Sequence, residues 1–205
     1  MMTKDKISID TLLLAAGLSR RMGSINKLLI DIDGEAMARK TARLYQGVSS
    51  TLTVVLGHEA EQVAHALLDL DTHNVINPDY EKGQQSSVRY GLDKLTITGD
   101  AVLIGLADQH RLTPEDIKDF IAAYKQGPQD KIFIPQSGGQ RGNPILFPAA
   151  IARQIQADET APSCRKYIDE NPDKVTWFKT QNKHFIEDLD TPEDAERYGI
   201  ALPLE

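Results

Sequence analysis

The chain has 205 residues, 40% of them hydrophobic, and carries 30 acidic side chains against 23 Lys and Arg for a formal charge of −7. That length suits one α/β domain over 1–205, and the acidic balance argues against nucleic acid as a partner, which would need a basic surface for counterion release. Apolar runs are strand-sized, well short of the roughly 20 residues that span a membrane, no apolar secretory segment occupies the first ten residues, and the single cysteine, Cys164, has no internal disulfide partner. No membrane partner and a cytoplasmic location are therefore expected.

Leu12 to Ala16 reads as a buried strand that stops at Gly17, where the backbone can turn without a steric penalty. Ser19, Arg20, Arg21, Gly23 and Lys27 follow, and no carboxylate lies between Ala15 and Ile30. Cations and glycines just past the carboxyl end of a first strand suit a polyanion, because ligands of open α/β sheets sit in that crevice and glycine lets backbone N–H groups approach phosphate closely. Two phosphate motifs are excluded. A Walker A loop fails because five residues separate Gly17 from Gly23 and Ser24 follows, and a dinucleotide fingerprint fails at Leu18-Ser19.

Leu28 to Gly34 suggests a short strand and a turn, and Glu35 to Gln46 a helix closed by Gly47. Leu52 to Leu56 reads as a strand, Glu59 to Leu70 as a helix with Val63, Ala64, Leu67 and Leu68 on one face, and Val75-Ile76 as a third strand ended by Asn77-Pro78. The order β, α, β, α, β predicts a parallel sheet with right-handed crossovers. Lys82 to Gly91 passes from a polar, glycine-containing start into a helix with Val88, Leu92 and Leu95 inward; on its residues alone it is a helix start with hydroxyl caps.

Ala101 to Leu106 is the strongest buried-strand signal and ends in Ala107-Asp108-Gln109-His110. A carboxylate at the carboxyl end of a central strand is where the Mg²⁺ of a nucleotide would be held, which singles out Asp108. Thr113 before Pro114 and Glu115 predicts an N-capped helix to Gln126. Strands are expected at Lys131 to Pro135, Asn143 to Phe147, Val175 to Phe178 and Phe185-Ile186, with a glycine turn at Gly138, Gly139 and Gly142 and two helical pieces flanking Ala157 to Pro162. Asp188 and Asp190 precede a short last helix that Thr191 caps. None of the five histidines pairs at metal spacing, and no Ser-His-Asp or cysteine nucleophile motif is present.

The string from Leu14 to Leu29, LAAGLSRRMGSINKLL, resembles the signature loop of the MobA-like nucleotidyltransferases and, within them, of the molybdenum cofactor cytidylyltransferase branch. The resemblance implies an α/β fold of three layers, a mostly parallel sheet with helices on both faces, Rossmann-like and of the nucleotide-diphospho-sugar transferase type. It also implies that the loop wraps the triphosphate of an NTP, with Arg21 and Lys27 on the phosphates and Ala15, Ala16, Gly17, Ser19 and Gly23 against the nucleotide. The Gly83 to Val88 stretch resembles a family element that contacts base and sugar, which implicates Gly83, Ser86 and Ser87, with Gln85 beside them. Ala107 to His110 resembles the segment whose Asp ligates the metal, with His110 where the family usually has proline. Arg141 to Phe147 resembles an acceptor-side element, making Gly142, Asn143 and Pro144 its lining residues. Of a further box, Ala161 to Arg165 keeps only Arg165. Asp188 to Asp194 resembles an element that supplies a second metal carboxylate, and Asp190 is favoured over Asp188.

The function implied is a Mg²⁺-dependent cytidylyl transfer from CTP to a phosphorylated small-molecule acceptor, with molybdopterin first and a molybdoenzyme as recipient of the product. The Ala15-Ala16-Gly17 start is closer to the CTP-using branch than to GTP-using relatives. Two alternatives stay open: a cytidylyltransferase for a sugar or polyol phosphate, and a nucleotide-binding regulatory or chaperone-like module without turnover.

Overall fold

The computed structural model describes residues 7–158 and 164–203. Ala161, Pro162 and Ser163 of the divergent box, most of the loop at 157–162 and the first six residues lie outside that range.

Every residue of β1 (Ile9–Ala15) is buried. Its side chains alternate between two cores: Leu13 and Ala15 enter one, Leu12 and Leu14 the other, as period-two geometry requires of a strand covered on both faces. After β1 come a hairpin of β2 (Asp31–Ile32) and β3 (Glu35–Ala36), then α1 (Met37–Gln46), β4 (Thr51–Leu56), α2 (Ala60–Ala66), β5 (His73–Ile76), α3 (Gln84–Lys94) and β6 (Ala101–Leu106). The second half supplies α4 (Pro114–Gln126), β7 (Ile132–Ser137), β8 (Gln140–Arg141), β9 (Ile145–Pro148), α5 (Ala149–Ala157), α6 (Cys164–Glu170), β10 (Val175–Thr180) and α7 (Pro192–Tyr198).

The main sheet runs β10-β7-β9-β6-β1-β4-β5, with β8 attached to β7. Its pairs are parallel from β6 through β5 and again between β7 and β10, while β9 runs antiparallel to both neighbours. Met37, Tyr45, Val63, Phe120 and Ala195 bring α1, α2, α4 and α7 onto one face, and Val88, Leu92, Ile151 and Ile168 bring α3, α5 and α6 onto the other. The chain therefore forms the three-layer, mostly parallel architecture expected of it. Two glycines let helices approach: a Cβ at Gly91 would meet Leu12 and Val55 at 2.6 Å, and one at Gly105 would strike the Tyr45 ring. Among the described residues no helix is long and apolar enough to cross a membrane.

Several local expectations need correction. Phe185-Ile186 is part of a 3-10 turn (Lys183–Ile186), not a strand. Asn182 caps that turn by accepting from the His184 N–H, and the Phe185 carbonyl is taken up by the Asn143 N–H and the Gln109 side chain, so no ladder is available to it. Leu28 lies in another 3-10 turn (Lys27–Leu29), and Glu35 and Ala36 belong to the hairpin rather than to the helix, with Asp33 and Gly34 at positive φ making its turn. The Thr113 cap on α4 is present as a full capping box with Asp116, and Thr191 and Asp194 repeat it on α7.

Candidate active site

β1 delivers the chain to the carboxyl end of the sheet, and Gly17 and Leu18 carry it over the edge. Ser19 then adopts a left-handed conformation at φ 50°, its carbonyl accepts from the Met22 N–H, and Gly23 at φ 69° turns the chain back. Asn26 closes the loop: its side chain accepts from the Leu28 N–H and donates to Glu59 at 3.0 Å, while the Ser19 hydroxyl accepts from the Lys27 N–H at 3.2 Å. Ser19 thus ties the loop's start to its end. The product is a buried lysine aimed inward from a loop otherwise made of exposed cations.

Lys27 Nζ donates to Asp108 Oδ2 at 2.6 Å and to Asp190 Oδ1 at 2.7 Å. Arg21, 67% exposed, meets the other oxygen of Asp190 at 2.6 Å. A backbone bond from the Leu189 N–H to the Asp108 carbonyl fixes the segment 188–190 beside the end of β6. The two acids, 82 positions apart in the chain, therefore share one ammonium. Burial by itself would push the Lys27 ammonium down, but Asp108 and Asp190 outweigh it and hold its pKa above the usual lysine value. Burial would likewise raise Asp190, yet Lys27 and Arg21 keep its carboxyl below the ordinary range. Asp188 has no such cation in contact: burial first, then repulsion from Asp108 and Asp190, pushes its pKa up to about 7.

These groups line a cavity of about 360 Å³ together with Ala16, Gly17, Tyr80, Gly83, Gln84 and Ser87. Of the residues expected here, Ala16, Gly17, Ser19, Arg21, Lys27, Gly83, Ser87, Asp108 and Asp190 line it. Ala15 faces the core instead, Gly23 shapes the loop from outside, and Ser86 lies behind the wall, donating to the Asp79 carbonyl at 2.6 Å. Ser86 and Ser87 both accept from Asn77, so the hydroxyls lock the turn after β5; α3 starts at Gly83 with no side-chain cap. His110 is buried with its ring 4.7 Å from that of Tyr198. Tyr80 carries no motif and escaped the sequence reading. It fits because Gly57 lacks a side chain: a Cβ there would meet Tyr80 at 2.6 Å and Ala16 at 2.9 Å.

As the side chains stand, no group of three or more His, Cys, Asp or Glu among the described residues forms a metal cage. Mg²⁺ seldom has one, being held by one or two carboxylates together with substrate phosphates. Asp108 Oδ1 and Asp188 Oδ1 are buried oxygens with no hydrogen-bond partner, a donor set of the hard, anionic kind that such a cation takes.

A second cavity of about 260 Å³ adjoins the first, sharing Leu14, Gln84 and Leu106 with it. Gly142 and Asn143 line it, while Pro144, joined to Asn143 by a cis peptide, is buried behind. Gly142 sits where any side chain would strike the Phe185 carbonyl. Arg141 and Arg165 are also in its wall. Arg141 was visible beside the Gly142-Asn143 element, but nothing in the string indicates that β8 turns it inward.

No curated protein sequence matches this chain significantly. Solved structures do. Rv0371c from Mycobacterium tuberculosis H37Rv superposes with a TM-score of 0.76 at 24% identity over 96% of this chain and 98% of its own. A manganese complex of Rv0371c from the same organism gives 0.71 at 21% identity, over 93% and 97%. The 4-diphosphocytidyl-2C-methyl-D-erythritol synthase of Anaerococcus prevotii DSM 20548 gives 0.69 at 15% identity, over 93% and 96%. At such identities the likeness establishes the fold. The family model for the MobA-like NTP transferase domain matches residues 11–175, which spans the loop, both cavities' β-strand walls and Asp108. This chain belongs to the MobA-like NTP transferase domain family.

Proposed function

We propose that the protein transfers a cytidylyl group from CTP to a phosphorylated small molecule, with the molybdopterin form of the molybdenum cofactor as the first candidate. The observation that carries this reading is the single ammonium of Lys27, 2.6 and 2.7 Å from two carboxylates, in a cavity rimmed by Gly17, Arg20 and Arg21. In the reaction an oxygen of the acceptor phosphate bonds to the α-phosphorus of the NTP, the bond to the bridging oxygen breaks, and pyrophosphate leaves. One phosphoanhydride forms as another is lost. Such a transfer needs positioning and positive charge rather than a protein nucleophile, which agrees with a site made of cations, acids and backbone.

The roles follow from position. Lys27 would leave its carboxylates for the triphosphate, and Arg21, exposed at the mouth, would meet the leaving pyrophosphate. Asp108 would hold the divalent ion with Asp190 or Asp188, whose free buried oxygen favours it as the partner. When bound there, Mg²⁺ or Mn²⁺ would supply positive charge to the phosphate oxygens; the manganese found with the structural relative Rv0371c supports a divalent ion in general. Gly17 and Ala16 leave the strand end bare enough for the nucleotide to lie against it, and Tyr80 walls the base side. The synthase relative named for a cytidyl product and the Ala15-Ala16-Gly17 start support CTP.

The test is pyrophosphate release from each NTP with molybdopterin as acceptor. CTP-dependent release is expected. Release with GTP alone would overturn the base, and release with a sugar or polyol phosphate but not molybdopterin would overturn the acceptor.

A further inference from the structure

The capping box that opens α4 reaches beyond its own helix. We propose that Asp116 and His184 are positioning residues for the transfer: they clamp the turn at Lys183–Ile186, and through the Phe185 carbonyl they hold the Gly142-Asn143 wall of the second cavity at a fixed distance from Asp108. The inference rests on the function proposed above and adds to it two residues that line neither the first cavity nor the second.

The chain has two capping boxes, and they differ. In α7, Asp194 finds its partners at Asp190, Thr191 and Arg197, all within about one turn. In α4, the Thr113 N–H donates to Asp116 Oδ2 at 2.9 Å and the Asp116 N–H donates to the Thr113 hydroxyl at 3.2 Å, which completes the cap. The Asp116 carboxylate nevertheless accepts twice more, from the Asn182 amide at 2.6 Å and from His184 Nδ1 at 2.8 Å, across 66 and 68 positions of the chain. A helix start needs neither donor. Burial by itself would raise the Asp116 pKa, but His184 and then Thr113 outweigh it and hold the carboxyl below its usual value. The ionised acid only accepts, so the imidazole proton in this contact sits on Nδ1.

What the clamp holds is Phe185. Its ring packs on Phe120 of α4 and Phe178 of β10, with centroids 5.9 and 5.7 Å away. The ring fixes the side chain; the anchored turn, capped by Asn182 and tied to α4 by His184, aims the carbonyl. That carbonyl accepts from the Asn143 N–H at 2.9 Å, in the wall of the second cavity, and from the buried Gln109 amide at 3.0 Å, one residue beyond Asp108. Any side chain at Gly142 would strike the same oxygen, so the loop has no slack against it. One atom therefore spaces the acceptor-side loop from the end of β6. Transfer depends on that spacing, because the acceptor oxygen must reach the α-phosphorus in line.

The experiment compares the wild type with His184→Phe, which keeps a ring and loses the donor, and with His184→Asn, whose amide nitrogen can stand where Nδ1 does. Pyrophosphate release from CTP with molybdopterin gives kcat/KM for the acceptor, and calorimetry in Mg²⁺ gives the CTP affinity. His184→Phe should lower kcat/KM for the acceptor about tenfold or more while CTP affinity stays within about twofold, and His184→Asn should recover most of the loss. His184→Ala, which cannot crowd the turn, should match His184→Phe. In the free proteins the Asn143 N–H should exchange with solvent about tenfold faster in His184→Phe and at close to the wild-type rate in His184→Asn. An acceptor kcat/KM unmoved in His184→Phe would overturn the proposal, as would equal losses in His184→Phe and His184→Asn, a matching loss of CTP affinity, or an Asn143 N–H that exchanges alike in all the proteins. A wild type that releases no pyrophosphate from CTP and molybdopterin would bring down the proposed function and this inference with it.

Discussion

The two cavities at the carboxyl end of the sheet hold their cations in opposite states. In the first, Lys27 and Arg21 are already paired with the protein's own acids at hydrogen-bonding distance. In the second, Arg141 has one long-range partner and Arg165 has none among the described residues. A cation paired with a carboxylate can reach a phosphate only by exchange, and exchange becomes favourable when another cation takes the carboxylate. On the function proposed above, the first cavity would take metal and nucleotide together, its acids passing to the metal as its cations pass to the phosphates, whereas the cations of the second have no close acid to give up. The difference turns on the acids contributed by β6 and by the segment before α7.

The largest effect should come from removing the exchanging group. Lys27→Ala should cut turnover by about a hundredfold or more, the usual scale for one preorganised donor to a transition-state oxyanion, as measured by pyrophosphate release. A fall below about threefold would mean Lys27 is only a structural counterion. Next, Lys27→Met should bind Mn²⁺ without nucleotide about tenfold more tightly than the wild type, since its carboxylates lose their internal partner; paramagnetic titration reads this directly. Weaker Mn²⁺ binding would break the exchange picture.

Asp188 sharpens it through pH. Its folded pKa of about 7 lies above the roughly 3.9 of an unfolded aspartate, so the folded chain keeps a proton that the unfolded chain has released. That contribution is complete below about pH 4 and is lost as pH rises through about 7. Asp188→Asn, which stays neutral, should therefore melt progressively higher relative to the wild type between pH 5 and pH 8 in the absence of metal. Parallel melting curves would contradict the assignment. The smallest effect belongs to Arg21→Gln: its exposed ion pair is worth under about 1 kcal/mol, so stability should hardly move while turnover falls about tenfold.

Much of this was legible in the chain, for physical reasons that differ by residue. The run Leu12 to Ala16 and the run Ala101 to Leu106 announced central strands because both faces are covered, and Thr113-Pro114 announced α4 because capping is local chemistry. The loop cations and Asp108 stood out because the strand ends that carry them lie side by side in a parallel sheet. What stayed hidden depends on distant partners. Phe185 looked like a strand residue, but its carbonyl is claimed by Asn143 and Gln109. Ser86 looked like a ligand contact, but Asn77 and Asp79 hold it. The string favours Asp190 over Asp188 as the second metal carboxylate, but the positions of Lys27 and Arg21, which the string does not show, make Asp190 the paired carboxylate and leave an oxygen of Asp188 free.

The most direct measurement is CTP affinity with and without Mg²⁺, in the wild type and in Asp108→Asn. If Lys27 trades its acids for the triphosphate when a divalent ion arrives, Mg²⁺ should tighten CTP binding by about tenfold or more in the wild type and by little in the variant. CTP binding that ignores Mg²⁺ in the wild type, or that keeps its full Mg²⁺ response in Asp108→Asn, would contradict the account.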